Sequence, residues 1–355
     1  MSRSHRRTPW WSWWLFTLTV VLGLGLAAAP ANASPTTFGP FRQAPAAPLD
    51  PLTTVGQVGP AVVDIDTQLG YQSAVGAGTG IVVDPNGTVL TNNHVIAGAT
   101  GIKARNIGNG QTYDADVVGY DRSHDIAVLQ LRGAGGLPVA NLGNSSQVAV
   151  GDPIVALGNA GGVGGTPSAL AGNVTALNQT VTASDALTGS SETLNGLIQM
   201  SAGLRPGDSG GPTVNAANQV IGMNTAASEN YKLSQGGTGF AIPINQANAI
   251  AGQIRGGGAS STVHIGPTPF LGVGVTDNGN GARVVRVLPN APAVQTGIGN
   301  GDVITSIDGQ PVNSATALTN ILDQHHPGDT IVLGWRGPLA GEHTANVTLA
   351  EGPPG

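Results

Sequence analysis

The stretch Pro206-Gly207-Asp208-Ser209-Gly210-Gly211-Pro212 sets one serine among three glycines. With so few Cβ atoms nearby, such a serine can bring its hydroxyl and the adjacent backbone N–H groups against a ligand. G-x-S-x-G also marks the strand-to-helix elbow of one α/β fold, but that elbow needs a helix directly after the serine. Here Gly210-Gly211-Pro212-Thr213-Val214 follows, and two glycines with a proline break a helix. The elbow is excluded, and with it the order Ser209, then Asp302 or Asp323, then His325, His326 or His343.

The remainder of the chain supplies strands for this turn. Of 355 residues, 55 are glycine and 24 proline; 40% are hydrophobic and only 10% charged. The glycines punctuate short apolar runs such as Ala61–Asp66, Gly80–Val83, Ile126–Leu131 and Gln219–Met223, an all-β pattern. Asp84-Pro85-Asn86-Gly87 predicts a hairpin turn in which Asn-Gly supplies the positive-φ residues. Gly76-Ala77-Gly78-Thr79-Gly80 lacks the Lys-Ser/Thr of a phosphate loop and reads as a turn. Ile244, Ala247, Ala251 and Ile254 share a helix face, and Gly256-Gly257-Gly258 stops that helix. Residues 256–261 read as a flexible linker. A smaller unit follows, with strands, a helix near Ser314–Asp323 (Leu318, Ile321 and Leu322 inward) and a last strand Ala345–Leu349. The expected architecture is an all-β domain followed by a small α/β domain.

At the other end, Arg3, Arg6 and Arg7 precede an apolar run from Trp10 to Ala29 and then Ala31-Asn32-Ala33. This is the layout of a secretory signal peptide over residues 1–33, cleaved after about Ala33, rather than a stable membrane anchor. Residues 34–53, rich in Pro, Ala and Thr, form an extended arm. Without residues 1–33 the chain has 11 Lys+Arg against 20 Asp+Glu, a net charge of −9. An acidic exported chain with no basic run is not a nucleic-acid binder. The lack of cysteine excludes disulfides, thiolate metal sites and a cysteine nucleophile. No H-x-x-x-H pair occurs, so a metal site is unsupported.

A serine nucleophile needs a base, and the base needs a group that fixes its tautomer. Thr91-Asn92-Asn93-His94-Val95-Ile96 sets a histidine between strand-like residues, and Ser123-His124-Asp125-Ile126-Ala127-Val128 sets an aspartate at the mouth of an apolar strand. On a strand, His124 and Asp125 face opposite sides, which leaves His94 as the base and His124 at the surface.

The order His94, Asp125, Ser209, with the phrases T-N-N-H-V, D-I-A-V-L and G-D-S-G-G-P, resembles the HtrA branch of the trypsin-like serine proteases. Ile221–Ala226 and Gly239–Pro243 resemble its next two strand motifs. Phe270-Leu271-Gly272-Val273 resembles the carboxylate-binding loop of a PDZ domain, and Gly301-Asp302-Val303-Ile304 its later strand. The resemblance implies a mainly β fold: a trypsin-like double β-barrel over residues 54–255, the linker 256–261 and an α/β PDZ domain over 262–353.

It also implies peptide-bond hydrolysis through an acyl-enzyme, with no metal or organic cofactor. Ser209 attacks, His94 carries the proton and Asp125 orients His94, while the backbone N–H groups of Gly207 and Ser209, with Asp208 between them, form the oxyanion hole. By the same resemblance, Gly203 forms the base of the pocket for the residue before the scissile bond. Leu204 and Thr225-Ala226-Ala227 make its apolar wall, which implies small to medium aliphatic side chains. Arg205 departs from the family's usual neutral residue and is expected to aim outward or toward an acidic substrate neighbour. No Ile-Val-Gly-Gly start precedes Ala61, so Asp208 lacks the new N-terminus that traps this carboxylate in digestive relatives. Leu271, Gly272 and Val273 would donate N–H groups to the carboxylate of a C-terminal peptide added as a strand. The implied partners are peptides or unfolded proteins. A chaperone-like or peptide-binding protein of protease fold with little proteolysis is the rival reading.

Overall fold

The computed structural model describes residues 49–184, 191–225, 237–337 and 341–354. The expected signal peptide, most of the arm, and Ala226 and Ala227 lie outside them. Asp50 caps the first helix, α1 (Pro51–Val58), by accepting the N–H groups of Leu52 at 3.3 Å and Thr53 at 3.0 Å. The arm therefore gives way to helix before residue 53.

A first barrel is built from β1 (Val62–Leu69), β2 (Ala74–Asp84), β3 (Thr88–Thr91), a one-turn helix α2 (Asn93–Ile96), β4 (Gly101–Asn106), β5 (Thr112–Asp121) and β6 (Ile126–Leu131). The strands run in the order β5-β4-β1-β2-β3-β6, and β5 pairs back onto β6 to close the ring. Ile65, Val82, Val89, Tyr120 and Leu129 fill it. The glycines of 76–80 lie within β2 and make no turn. They are there for packing, since a Cβ on Gly78 or on Gly80 would stand 2.5 Å from a methyl of Val95 or of Val89. In the hairpin after β2 the left-handed residue is Gly87 (φ +92°), while Asn86 donates its N–H to Asp84 Oδ1.

The second barrel comprises β7 (Pro153–Gly158), β8 (Ser168–Ser184), β9 (Ser191–Met200), β10 (Pro212–Val214), β11 (Val220–Thr225) and β12 (Gly239–Pro243), closed in the order β10-β11-β12-β9-β8-β7. Helix α3 (Ile244–Arg255) follows and buries Ile244, Ala247, Ala251 and Ile254, as its periodicity requires, against β5, β6 and β11.

Past α3, the stretch expected as a loose linker is a hydrogen-bonded turn. Gly256, Gly257 and Gly258 donate to the carbonyls of Gly252, Ile254 and Gln253 at 2.9–3.0 Å, and Ser260 donates to Val263 O. A short strand, β13 (Val263–Ile265), then extends the first barrel by pairing Val263 with Asp121 of β5. Val263 and His264 are buried there, with His264 stacked on Tyr120. The first barrel thus reaches beyond the expected boundary at residue 261.

The C-terminal unit contains β14 (Thr268–Phe270), β15 (Val273–Asp277), β16 (Ala282–Val287), β17 (Val303–Ile307), β18 (Gln310–Pro311), α4 (Ala315–Leu322), β19 (Thr330–Arg336), β20 (Glu342–Thr348) and β21 (Ala350–Gly352). Its sheet runs β15-β16-β17-β19-β20, with β18 on β17, and β21 returns to pair with β14. Ser314 caps α4 through Ala317 N–H at 3.0 Å, and Leu318 and Ile321 anchor the helix on the sheet core. Among the described residues, no helix is long and apolar enough to cross a membrane.

Candidate active site

His94 lies in α2, in helical backbone where strand was expected, because the extended run of β3 stops at Asn92 and a single helical turn begins at Asn93. Asp125 lies in a left-handed turn (φ +56°) just before β6, with its N–H on Arg122 O at 3.0 Å and its carbonyl held by Asn92 Nδ2. That turn drives the carboxylate inward until Asp125 is 1% exposed.

Its two oxygens lie 3.0 and 2.9 Å from His94 Nδ1. Oδ1 also accepts the His94 backbone N–H at 3.0 Å, and Oδ2 accepts the Thr225 hydroxyl at 3.2 Å. An ionised carboxylate only accepts hydrogen bonds, so Nδ1 carries the proton and Nε2 keeps its lone pair. His124 is held apart by Asp121, whose Oδ2 lies 2.8 Å from its Nδ1. It is a partly exposed residue as expected, through the turn at Asp125 rather than through strand alternation.

Ser209 belongs to the second barrel, yet β2 of the first barrel holds its loop. Thr79 donates its N–H to Ser209 O at 2.8 Å and its hydroxyl to Gly207 O at 2.6 Å. The fit admits no side chain at two glycines. A Cβ on Gly207 (φ +99°) would lie 2.0 Å from Asn159 O, and one on Gly210 (φ +84°) 2.0 Å from Thr79 O.

The loop carbonyls fix the amide directions, because C=O and N–H of a trans peptide point oppositely. Pro206 O accepts Gly161 N–H at 2.7 Å, which turns the Gly207 N–H the other way. Asp208 O accepts Gly211 N–H at 3.1 Å and so reverses the Ser209 N–H. Asp208 itself supplies no oxyanion donor, since its N–H is spent on Arg205 O at 2.9 Å. Its carboxylate accepts the Ser168 hydroxyl at 2.9 Å and Arg205 N–H at 2.8 Å, where digestive enzymes supply a new N-terminus. Burial holds this carboxyl above its ordinary pKa, and those hydrogen bonds pull it partway back.

The expected specificity-pocket residues are placed unevenly. A Cβ on Gly203 would stand 3.0 Å from Gly237 Cα, and Arg205 points to solvent. Leu204 is buried in the second-barrel core beside Ile198, Met200 and Ala241 instead of walling a pocket. Thr225 spends its hydroxyl on Asp125, a role the sequence reading missed, as it missed Thr79 and Ser168. In the C-terminal unit, Leu271 O accepts Ala293 N–H at 3.0 Å and Gly272 O accepts Leu288 N–H at 2.9 Å. The amides of Gly272 and Val273 therefore face the opposite side. A cavity of about 200 Å³ adjoins this loop, bounded by Leu318 and Leu322 of α4 and by Tyr71 and Gly98 of the first barrel.

Residues 78–223 match the family model of the trypsin-like peptidase domain, and residues 269–336 match that of the PDZ domain. Serine protease PepD of Mycobacterium tuberculosis is 35% identical over 350 residues, covering 93% of this chain and 73% of PepD. The chain belongs to the HtrA-type serine proteases. Periplasmic serine endoprotease DegP of Escherichia coli K12 is 34% identical over 74% of this protease, which spans 55% of DegP's length. The solved structure titled HtrA-type protease AlgW with tripeptide is 29% identical, covers 86% of this chain and 97% of its own, and has a TM-score of 0.49.

Proposed function

We propose that Ser209, His94 and Asp125 are the nucleophile, base and orienting carboxylate of this protease. The observation that carries the reading is the buried Asp125 carboxylate set with both oxygens on His94 Nδ1, which leaves Nε2 as the proton acceptor. Ser209 Oγ attacks the peptide carbonyl as His94 takes its proton, and the N–H groups of Gly207 and Ser209 receive the oxyanion. Such a donor is worth about 2.7–4 kcal/mol in comparable enzymes. His94 then protonates the leaving amine, and water, deprotonated by the same histidine, releases the acyl group.

No carboxylate stands at Gly203, so the residue before the scissile bond is small or aliphatic rather than basic. The amides of Gly272 and Val273, turned away from Ala293 and Leu288, receive the terminal carboxylate of a peptide or unfolded protein and recruit it for cleavage. The relative DegP is named periplasmic, and residues 1–33 carry a signal-peptide pattern, so this protease acts after export.

Casein and peptide cleavage by the protein, beside Ser209→Ala and His94→Ala, tests the centre. Each substitution is expected to lower kcat on the order of 10⁴–10⁶-fold, because the three groups act as a unit. Cleavage by a folded Ser209→Ala protein at the unaltered rate would refute it.

A further inference from the structure

A cavity of about 700 Å³ opens beside Pro206 and Gly207, and neither Gly203 nor Thr225 lines it. It continues past Gly162 onto the outer face of the first barrel. The two surfaces touch, since a Cβ on Gly162 would lie 2.6 Å from Ala77 Cβ.

Four strands place a row of residues there in register. Ala77 of β2 faces Asp66 of β1, Asp66 faces Lys103 of β4, and Lys103 faces Asp114 of β5. Directly paired residues share one face of a sheet, so the row forms a continuous wall. Lys103 Nζ is engaged by Asp114 Oδ1 at 2.8 Å. Among the residues lining the cavity Asp66 and Asp114 are the carboxylates and Lys103 the ammonium, with Asp66 the carboxylate nearer Gly207. Arg105, two residues along β4, pairs in register with Asp64, and Arg132 acts on Asp114 from the far end of the row. Beside them Val75 is 83% exposed, an apolar surface suited to the carbon stem of a long cationic side chain.

Given the proposed centre, a substrate enters by its acyl side at Gly203 and leaves the oxyanion donors through this cavity. We propose that the cavity binds the segment after the scissile bond and that Asp66 selects Lys or Arg at its second or third residue. The spacing fits: neighbouring strands are ~4.8 Å apart and an extended peptide advances ~3.3 Å per residue, so Asp66 lies between one and two residues beyond Ala77. The cleft walls concentrate the carboxylate's field on a side chain inside it.

The test uses internally quenched peptides that share one acyl half and carry Arg or Glu at the first, second or third residue after the cut, verified by mass spectrometry. The protein is expected to favour Arg over Glu by roughly five- to tenfold in kcat/KM at the second or third residue, the scale of one exposed attraction replaced by a repulsion. Added salt shrinks that ratio. Asp66→Asn is expected to bring it near one and Asp66→Lys to invert it. A ratio near one in the unaltered protein, or one unchanged by Asp66→Asn, overturns the subsite. Ser209→Ala run on the same peptides keeps the two readings apart, because cleavage there would overturn the proposed centre whatever the ratio.

Discussion

Arg122 Nη2 lies 2.9 Å from Asp323 Oδ2, tying the turn that carries Asp125 to the end of the PDZ helix α4. The side chains are only 5% and 16% exposed, and Tyr120 donates its hydroxyl to Asp323 Oδ1 at 2.8 Å. A carboxylate at a helix C-terminus opposes the macrodipole. Arg122 offsets that and, through its carbonyl, also fixes the Asp125 N–H at 3.0 Å.

Asp323→Ala removes the carboxylate that pairs with the buried Arg122 guanidinium and is expected to destabilise the protein by about 3–5 kcal/mol in urea unfolding. Combining Arg122→Met with Asp323→Leu should recover most of that loss. A single-variant loss under about 1 kcal/mol would show instead that water reaches the pair.

Thr225→Val removes a hydroxyl from the Asp125 carboxylate while keeping shape. A hydrogen bond to a charged group is worth about 1.5–3 kcal/mol, so kcat is expected to fall roughly ten- to a hundredfold. Thr225→Ser should restore most of it. Equal kcat for the Val and Ser variants would show that the hydroxyl contributes nothing.

The edge strand β13 makes a prediction about truncation. A protease ending at Gly258 loses Val263, whose burial is worth about 1.5–3 kcal/mol, and uncovers β5. A fragment ending at Gly266 is expected to melt several degrees higher and to stay monomeric more readily. Identical Tm values for the two would mean that β13 adds nothing to the barrel.

His124 and Asp121 give a pH signature. The hydrogen bond to Asp121 raises the His124 pKa above its ordinary 6.5, against partial burial. Burial alone would raise Asp121, but its hydrogen bonds with His124 and Ser123 together leave it below its ordinary 3.8. The raised histidine contributes fully below pH 6.5, and its contribution fades as pH climbs through its higher folded value. The depressed aspartate contributes above pH 3.8 and fades as pH falls through its lower folded value. The Tm difference between the protein and His124→Ala should therefore be largest between about pH 4 and 6 and small at pH 8. A difference that grows with pH contradicts this.

Much of the architecture was legible where a local pattern carries it. The period of Ile244, Ala247, Ala251 and Ile254 defines α3, and Ser314 with Leu318 and Ile321 defines α4. His94, Asp125 and Ser209 stood out because three segments occur in a known order. What was illegible depends on residues distant in sequence. β13 has three residues, too few for any period, and exists because β5 offers an edge. Thr225 looked like pocket wall because its hydroxyl's partner lies a hundred residues earlier. The Ala77–Asp66–Lys103–Asp114 row appears only once four strands are in register.

The clamp from Thr79 onto Gly207 and Ser209 gives the order of assembly a chemical meaning. The proposed base and its carboxylate ride on one barrel and the nucleophile on the other, and Thr79 of the first barrel grips the carbonyls of Gly207 and Ser209 only when both are docked. A chain with one barrel closed has a serine without a base or a base without a serine. On this assignment competence to cut requires both barrels docked, and a copy with one barrel unfolded is expected to be inert toward itself and its neighbours.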